Sequence, residues 1–219
     1  MSYVAIRGAL SRVGGISNTS KMPCWSFNLD ARGCGVGKIL ANIKGTICEV
    51  CYALGGRYPT PVVRAAQERR RQKLDSPTWV QDMAHIINTR ERRTPKSAGG
   101  YFRWFDSGDI VDQAMLDNII EVCKLTPRVS HWLPTKEYET VAKNKTPIPE
   151  NLCIRVSAVF VDGKPPQWAS ENDELATSTV HNANAARGKI CYAARRDHKC
   201  GMCRACWGSS VNNVSYPMT

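Results

Sequence analysis

Cysteine supplies the residues of this sequence whose type and spacing could do chemistry. The densest run is Cys191-x8-Cys200-x2-Cys203-x2-Cys206. Two residues between thiolates let a tight turn aim both sulfurs at one centre while backbone N–H groups face them. Two such turns in tandem match the cluster-binding runs of bacterial ferredoxins more closely than a zinc ribbon, whose pairs lie far apart. The chemistry expected of Cys191, Cys200, Cys203 and Cys206 is therefore ligation of an iron–sulfur cluster of the 4Fe-4S type. A tetrahedral zinc site satisfies the same ligand count and is the alternative. His198 could replace a thiolate, although a histidine among so many arginines is more often a surface residue.

A second group lies near the start. Cys48-x2-Cys51 is a further pair, and Cys34 sits in a glycine-rich turn with Gly33, Gly35 and Gly37 that lets backbone approach a metal closely. Cys24, directly after Pro23, is a weaker member. Each end of the chain could hold its own centre, or the two groups could share one. Cys123 and Cys153 continue apolar patterns and are expected in the core, where free cysteine packs as a small hydrophobe. Trp207, directly after Cys206, is placed to cover a centre, whereas Trp104 and Trp132 fall in expected strands and should pack.

Charge is the other chemical signal. The formal charge is +11, and the excess is concentrated. Arg64, Arg69, Arg70, Arg71 and Lys73 share one expected helix, their cationic side exposed and Val62, Val63, Ala65 and Ala66 forming its apolar pattern; Arg90, Arg92, Arg93 and Lys96 follow; Arg187, Lys189, Arg195, Arg196, Lys199 and Arg204 surround the C-terminal cysteines. Such a field attracts polyanions, which makes DNA or RNA a candidate partner and Arg69, Arg70, Arg71, Arg195, Arg196, Lys199 and Arg204 its candidate phosphate contacts. A solvated basic face is the blander explanation, because charge alone carries no base specificity.

The elements that must position these groups follow from composition and periodicity. With 42% hydrophobic and 22% charged residues, the 219-residue chain fits one folded domain. No run approaches the roughly 18 apolar residues of a membrane span, and Met1 to Gly15 lacks a signal peptide's apolar stretch. No membrane association and a cytoplasmic location are expected, and in a reducing compartment clustered cysteines read as metal ligands rather than disulfides.

Residues 61–165 alternate strand and helix signals. Helices are expected over Pro61 to Leu74, from Ser76-Pro77 through Ile87, from Asp112 to Cys123, and from Glu137 to Lys143. Strands are expected over Tyr101 to Phe105, Val129 to Leu133, and Asn151 to Phe160. This is an α/β pattern with parallel pairing, either an open sheet or a partial TIM-like barrel. The flanking segments 1–60 and 185–219 read as cysteine-rich and loop-dominated, organised by metal. Sites in parallel sheets gather at the C-terminal strand ends. There the sequence places Asp106, Ser107, Asp109, Thr135 and Lys136, with Arg155 and Ser157 as further candidates. An enzyme acting on a small-molecule or nucleotide substrate would use Asp109 as base and Lys136 to bind an anion, beside a cluster iron serving as Lewis acid. Helix capping is the ordinary role for each of these residues taken singly.

Several runs also resemble a known family. Ser17-Asn18-Thr19-Ser20-Lys21-Met22-Pro23, Cys34, and Cys48-x2-Cys51-Tyr52-Ala53 with Gly56 and Tyr58 are similar to the opening of the phage gene product 88 family. Phe102-Arg103, Ser107-Gly108-Asp109, Thr135-Lys136, Pro149-x-Asn151-Leu152 and Cys200-x2-Cys203-x2-Cys206-Trp207 continue the same pattern over nearly the whole chain. The resemblance implies a bacteriophage protein of the host cytoplasm with its cysteines as ligands, and it implies little about activity. A looser similarity is to radical S-adenosylmethionine enzymes, which join a cluster to a parallel α/β barrel. This chain lacks their usual C-x3-C-x2-C run, so only a fold-level likeness is left.

Overall fold

A computed structural model describes residues 3–93, 100–182 and 185–218. The α/β expectation holds. The described residues form a mixed sheet in the order β1-β2-β3-β4-β5-β6-β8-β7. Its strands are β1 (Ser17–Asn18), β2 (Trp25–Phe27), β3 (Tyr101–Trp104), β4 (Ser130–Thr135), β5 (Leu152–Ser157), β6 (Ala176–His181), β7 (Lys189–Ile190) and β8 (Asn213–Pro217). Only the β1–β2 pair is antiparallel. Strands β2 to β6 follow one another in both sequence and space, so right-handed crossovers stack their helices on one face.

The α-helices among the described residues are α1 (Tyr3–Arg12), α2 (Gly35–Leu40), α3 (Pro61–Arg71), α4 (Trp79–Arg93), α5 (Gln113–Lys124), α6 (Tyr138–Ala142) and α7 (Gln167–Ser170). Helix α5 shows how the sequence builds one. The Asp112 carboxylate accepts the Met115 N–H at 2.8 Å, and Met115, Leu116, Ile119, Ile120, Val122 and Cys123 form its buried side. Its exit is fixed by the Asn151 amide, which donates to the carbonyls of Cys123, Thr126 and Val129 at 3.0, 3.1 and 2.9 Å. Phe27, Phe102, Trp104, Leu133, Leu152, Ile154 and Val156 project from the strands into this helix-side core. Each such fully buried side chain contributes about 1.5–3 kcal/mol.

Three expectations change. Residues 1–60 are not loop alone: Ile6, Ala9 and Val13 of the α1 region are buried in the main core, and β2 is the first strand of the parallel run. The sheet does not end near residue 165 but continues through β6, β8 and β7. Helix α3 turns the other way from its apolar pattern. Val62 is 81% exposed, while Gln67 and Arg70 face inward.

The helix-free face carries a smaller cluster of Cys24, Trp132 and Trp207, with Met22, Tyr101, Cys206 and Tyr216 packed against it. The rings of Trp132 on β4 and Tyr216 on β8 are 6.5 Å apart. A flat sheet would hold those strands about 14 Å apart, so the sheet curls around this cluster. The sheet stays open, with β1 and β7 as edges.

Candidate metal centres

The N-terminal group lies on the long loop leaving β2. Asp30 caps a short turn by accepting the Arg32 N–H at 3.0 Å, and this delivers Cys34 to the start of α2. Glu137, beyond the end of β4, accepts the Val36 N–H at 2.9 Å. The Ile47 N–H donates to the Val159 carbonyl past β5 at 2.9 Å, and the Tyr52 hydroxyl donates to the Asp106 carbonyl past β3 at 2.5 Å. The loop is thus pinned over the C-terminal ends of three neighbouring strands. Within it, the Cys51 N–H donates to the Cys48 carbonyl at 3.3 Å, the tight turn that the spacing implies.

Gly37 forms a cradle there. A Cβ at this position would lie 3.6 Å from the Cys34 sulfur and 3.7 Å from the Cys48 sulfur. Both sulfurs therefore face one small space that any side chain would fill. Burial pushes the Cys34 thiol well up, with Asp109, Cys51 and Cys48 adding to the effect. Burial also raises Cys48, opposed by the Lys136 ammonium.

The strand-end residues gather beside this loop, and most are engaged. Asp106 is buried and accepts from Ser26 at 2.6 Å, Asn28 at 3.0 Å and Tyr58 at 3.1 Å. Arg70 joins the same network by donating to the Asn28 side chain and, at 3.0 Å, to the Gly15 carbonyl. The Ser107 hydroxyl donates to the Leu29 carbonyl at 2.7 Å and accepts from Gln67 at 3.2 Å. Gly108, at φ +82°, lets this turn press against Leu29, whose carbonyl oxygen would be 2.9 Å from a Cβ. Asp109 accepts the N–H groups of Ile110 and Lys136, both at 2.8 Å, tying the β3 loop to the β4 loop. Burial lifts its carboxyl to about 6.

The C-terminal group lies against the helix-free face. Asp197, His198 and Gly201 adopt left-handed backbone at φ 52°, 60° and 56°, and the Cys203 N–H donates to the Cys200 carbonyl at 3.2 Å. His198 is exposed. The Cys191 N–H donates to the Ser215 carbonyl at 2.8 Å, and the Cys206 sulfur is 3.2 Å from the Tyr216 hydroxyl. Burial pushes the Cys206 thiol up to about 11. The Cys200 thiol is raised by burial, then by Cys191 and Cys203. Trp207 covers this group from the sheet side, donating to the Phe102 carbonyl at 2.8 Å and meeting Trp132 and Tyr101 edge-on.

Two guanidinium groups complete the setting. Arg155 on β5 is fully buried, and its donors go to the carbonyls of Thr177, Val211, Ala205 and Gly208 at 2.7–3.0 Å. Its Nε has no partner among the described residues. Arg103 stacks 4.2 Å over Trp132 and donates to Met22 sulfur and the Tyr52 hydroxyl, and its Nε is likewise unpartnered. Among the described residues neither donates to a carboxylate, although Asp106 acts on the half-buried Arg103, and both guanidinium groups favour the thiolate form of Cys206. A fully buried cation such as Arg155 is costly without a counter-charge, which metal-bound thiolates would supply. The donor set, the orphaned guanidinium nitrogens and the Gly37 cradle fit thiolate-held metal at both groups. Among the described residues, no three His, Cys, Asp or Glu side chains stand at the spacing of a single bound ion.

Sequence proximity misplaces Cys24, which joins the C-terminal group: the Cys200 N–H donates to the Lys21 carbonyl at 3.3 Å, and Cys24 packs with Trp207 and Cys206. Cys123 and Cys153 are buried. Arg155, expected among the strand-end residues, is instead fully buried within β5. Of the basic candidates, Arg69, Arg71, Arg195, Arg196 and Lys199 are exposed and Arg204 is half-buried, donating to the Gly201 and Cys203 carbonyls. Arg70 is turned inward because no apolar residue of α3 fills that site. Arg90 stacks on Trp25. Lys96 and the side chains of Arg92 and Arg93 lie outside the described residues. No helix among the described residues is long and apolar enough to cross a membrane.

The family model described as gene product 88 matches residues 7–209. No curated protein and no solved structure matches the chain.

Proposed function

The chain belongs to the gene product 88 family, and we propose that this member is a phage-encoded iron–sulfur enzyme of the host cytoplasm with two thiolate-held centres. The observation that carries the reading is the asymmetry between its cysteine groups. Cys34, Cys48 and Cys51 bring three thiols, not four, to the C-terminal edge of a parallel sheet, where substrate sites form. Cys191, Cys200, Cys203 and Cys206 supply a full set against an aromatic wall.

Cys34, Cys48 and Cys51 would hold a cluster there, which would supply Lewis-acid or one-electron chemistry at this edge. The chain's own residues do the rest. Lys136 acts on the Cys48 side of this edge and would hold an anionic substrate group. Asp109 fixes the backbone of Lys136 through its carboxylate and so sets where that ammonium stands. Tyr52, whose ring is largely exposed, and Tyr58 close the loop over Asp106. The C-terminal set is structural, joining β8 and its loops to the start of the sheet.

Purification without oxygen, a visible spectrum, and iron, sulfide and zinc analysis test the proposal. Iron and sulfide in equal amounts with a broad visible band are expected. A colourless protein with stoichiometric zinc and no sulfide overturns it.

A second reading rests on a separate observation. Arg187, Lys189, Arg195, Arg196 and Lys199 are exposed around the C-terminal cysteines, and among the described residues none of them pairs with a carboxylate. Nucleic acid bound there would show affinity falling steeply with salt. Salt-insensitive binding, or none to DNA or RNA, removes this reading.

A further inference from the structure

We propose that Cys24 is a metal ligand of the C-terminal centre, reaching it from the opposite end of the chain. The inference rests on the reading that the C-terminal thiols bind metal. Three observations support this. Cys24 is 7% exposed and packs in the same small cluster as Trp132, Trp207 and Cys206. The backbone just before it is joined to the centre's own loop by the Cys200 N–H to Lys21 carbonyl bond. Finally, the Arg103 guanidinium stands over Trp132 and donates to the Met22 sulfur, both members of this cluster.

Cys123 shows what a merely packed thiol looks like in this protein. It is fully buried in the helix-side core. Cys24 instead shares its cluster with a second thiol, Cys206, and with Trp132, on which the Arg103 guanidinium stacks. One centre uses four thiolates, so Cys24 acting beside Cys200 leaves one of Cys191, Cys203 and Cys206 outside the set. The consequence for the fold is that metal would close a link between residue 24, at the entry to β2, and the segment after β7.

The test uses the full chain, purified without oxygen, as wild type, Cys24→Val, Cys24→Ser, Cys200→Ala and Cys123→Ala. Metal and sulfide per chain and the rate of metal release to a chelator are measured. A packing role predicts that valine is tolerated and that serine, a buried polar group, is the worse change. A ligand role predicts the reverse order. Cys24→Val should fall to the metal content of Cys200→Ala, Cys24→Ser should hold more metal with a shifted visible spectrum, and Cys123→Ala should match wild type. Wild-type content and release rate in Cys24→Val overturn the inference while leaving the metal reading intact. Absence of metal from the wild type overturns the reading itself.

If the Cys24 variants do not fold, thiol labelling in the wild type decides. Peptide mapping after alkylation should show Cys24 becoming labelled in step with Cys200 as the chelator strips metal. Labelling of Cys24 that ignores the chelator overturns the proposal.

Discussion

The two cysteine groups of this chain are held in opposite ways. Around Cys34, Cys48 and Cys51 the loop is fixed by polar ties to strand ends: Val36 to Glu137, Ile47 to Val159, Tyr52 to Asp106. Ile39, Val50 and Tyr52 on the same loop remain more than half exposed. Around Cys24, Cys200 and Cys206 the walls are Trp132, Trp207 and Tyr101, and the buried Arg155 spans the carbonyls beside Cys206. Packing against aromatic walls backs one group and encloses its Cys24. Hydrogen bonds hold the other, on a loop whose apolar side chains stay open to solvent.

Perturbing the enclosed group should cost most. Arg155→Met removes a buried cation and the hydrogen bonds it donates to the carbonyls of Thr177, Val211, Ala205 and Gly208. A loss of roughly 2–5 kcal/mol is expected from urea unfolding. Metal should leave the C-terminal group first. A loss below about 0.5 kcal/mol, the level of an ordinary surface change, would break the contrast drawn between the groups.

The scaffold shared by both groups has its own acid limit. His131 is fully buried, bonded to the Thr126 hydroxyl at 2.8 Å and stacked on Trp104. Burial lowers it from 6.5 to about 3. Between those values the unfolded chain binds a proton that the folded chain refuses. The stabilising effect is complete above pH 6.5 and is lost as pH falls towards 3. The slope amounts to a few kcal/mol, on the order of 1.4 per pH unit at its steepest. His131→Gln should flatten the unfolding free energy over that range, and an unchanged slope would remove the assignment.

Gly37→Ala sharpens the comparison from the accessible side. A methyl group there meets the Cys34 Cβ at 3.0 Å and occupies the space facing two sulfurs. Within α2, alanine favours the helix by about 0.8–1 kcal/mol. Metal bound by the N-terminal group should therefore fall while the melting temperature holds or rises. Parallel loss of both would mean the two groups are not independent.

The smallest effect is expected far from either group. The Arg12 guanidinium, and next to it the Thr78 hydroxyl, hold Asp82 below the usual carboxylate range. That contribution is present above the unfolded carboxylate value and is lost as pH falls through the lowered one. Arg12→Ala should raise the acid-unfolding midpoint slightly and change metal content at neither group.

How much of this was legible beforehand depended on whether the signal was local. Asp112 as a cap, the apolar side of α5 and the C-x2-C turns are set by neighbours a few residues away. Helix α3 was misread because its inward residues are Gln67 and Arg70, which serve the Asp106 network rather than an apolar core. Strands β6 and β8 were missed because Thr177, Ser178, Thr179 and Ser215 are polar yet buried, satisfied by one another across strands.

The sequence by itself determined an α/β alternation, the turns that bend paired cysteines and a strongly basic surface. Tertiary structure decided which thiols belong together. It separated Cys24 from Cys34 and joined it to Cys200, because parallel pairing brings the entry of β2 and the loop after β7 to the same curled face. Spacing along a chain reports local turns. Only the order of strands in the sheet reports which distant residues share a space.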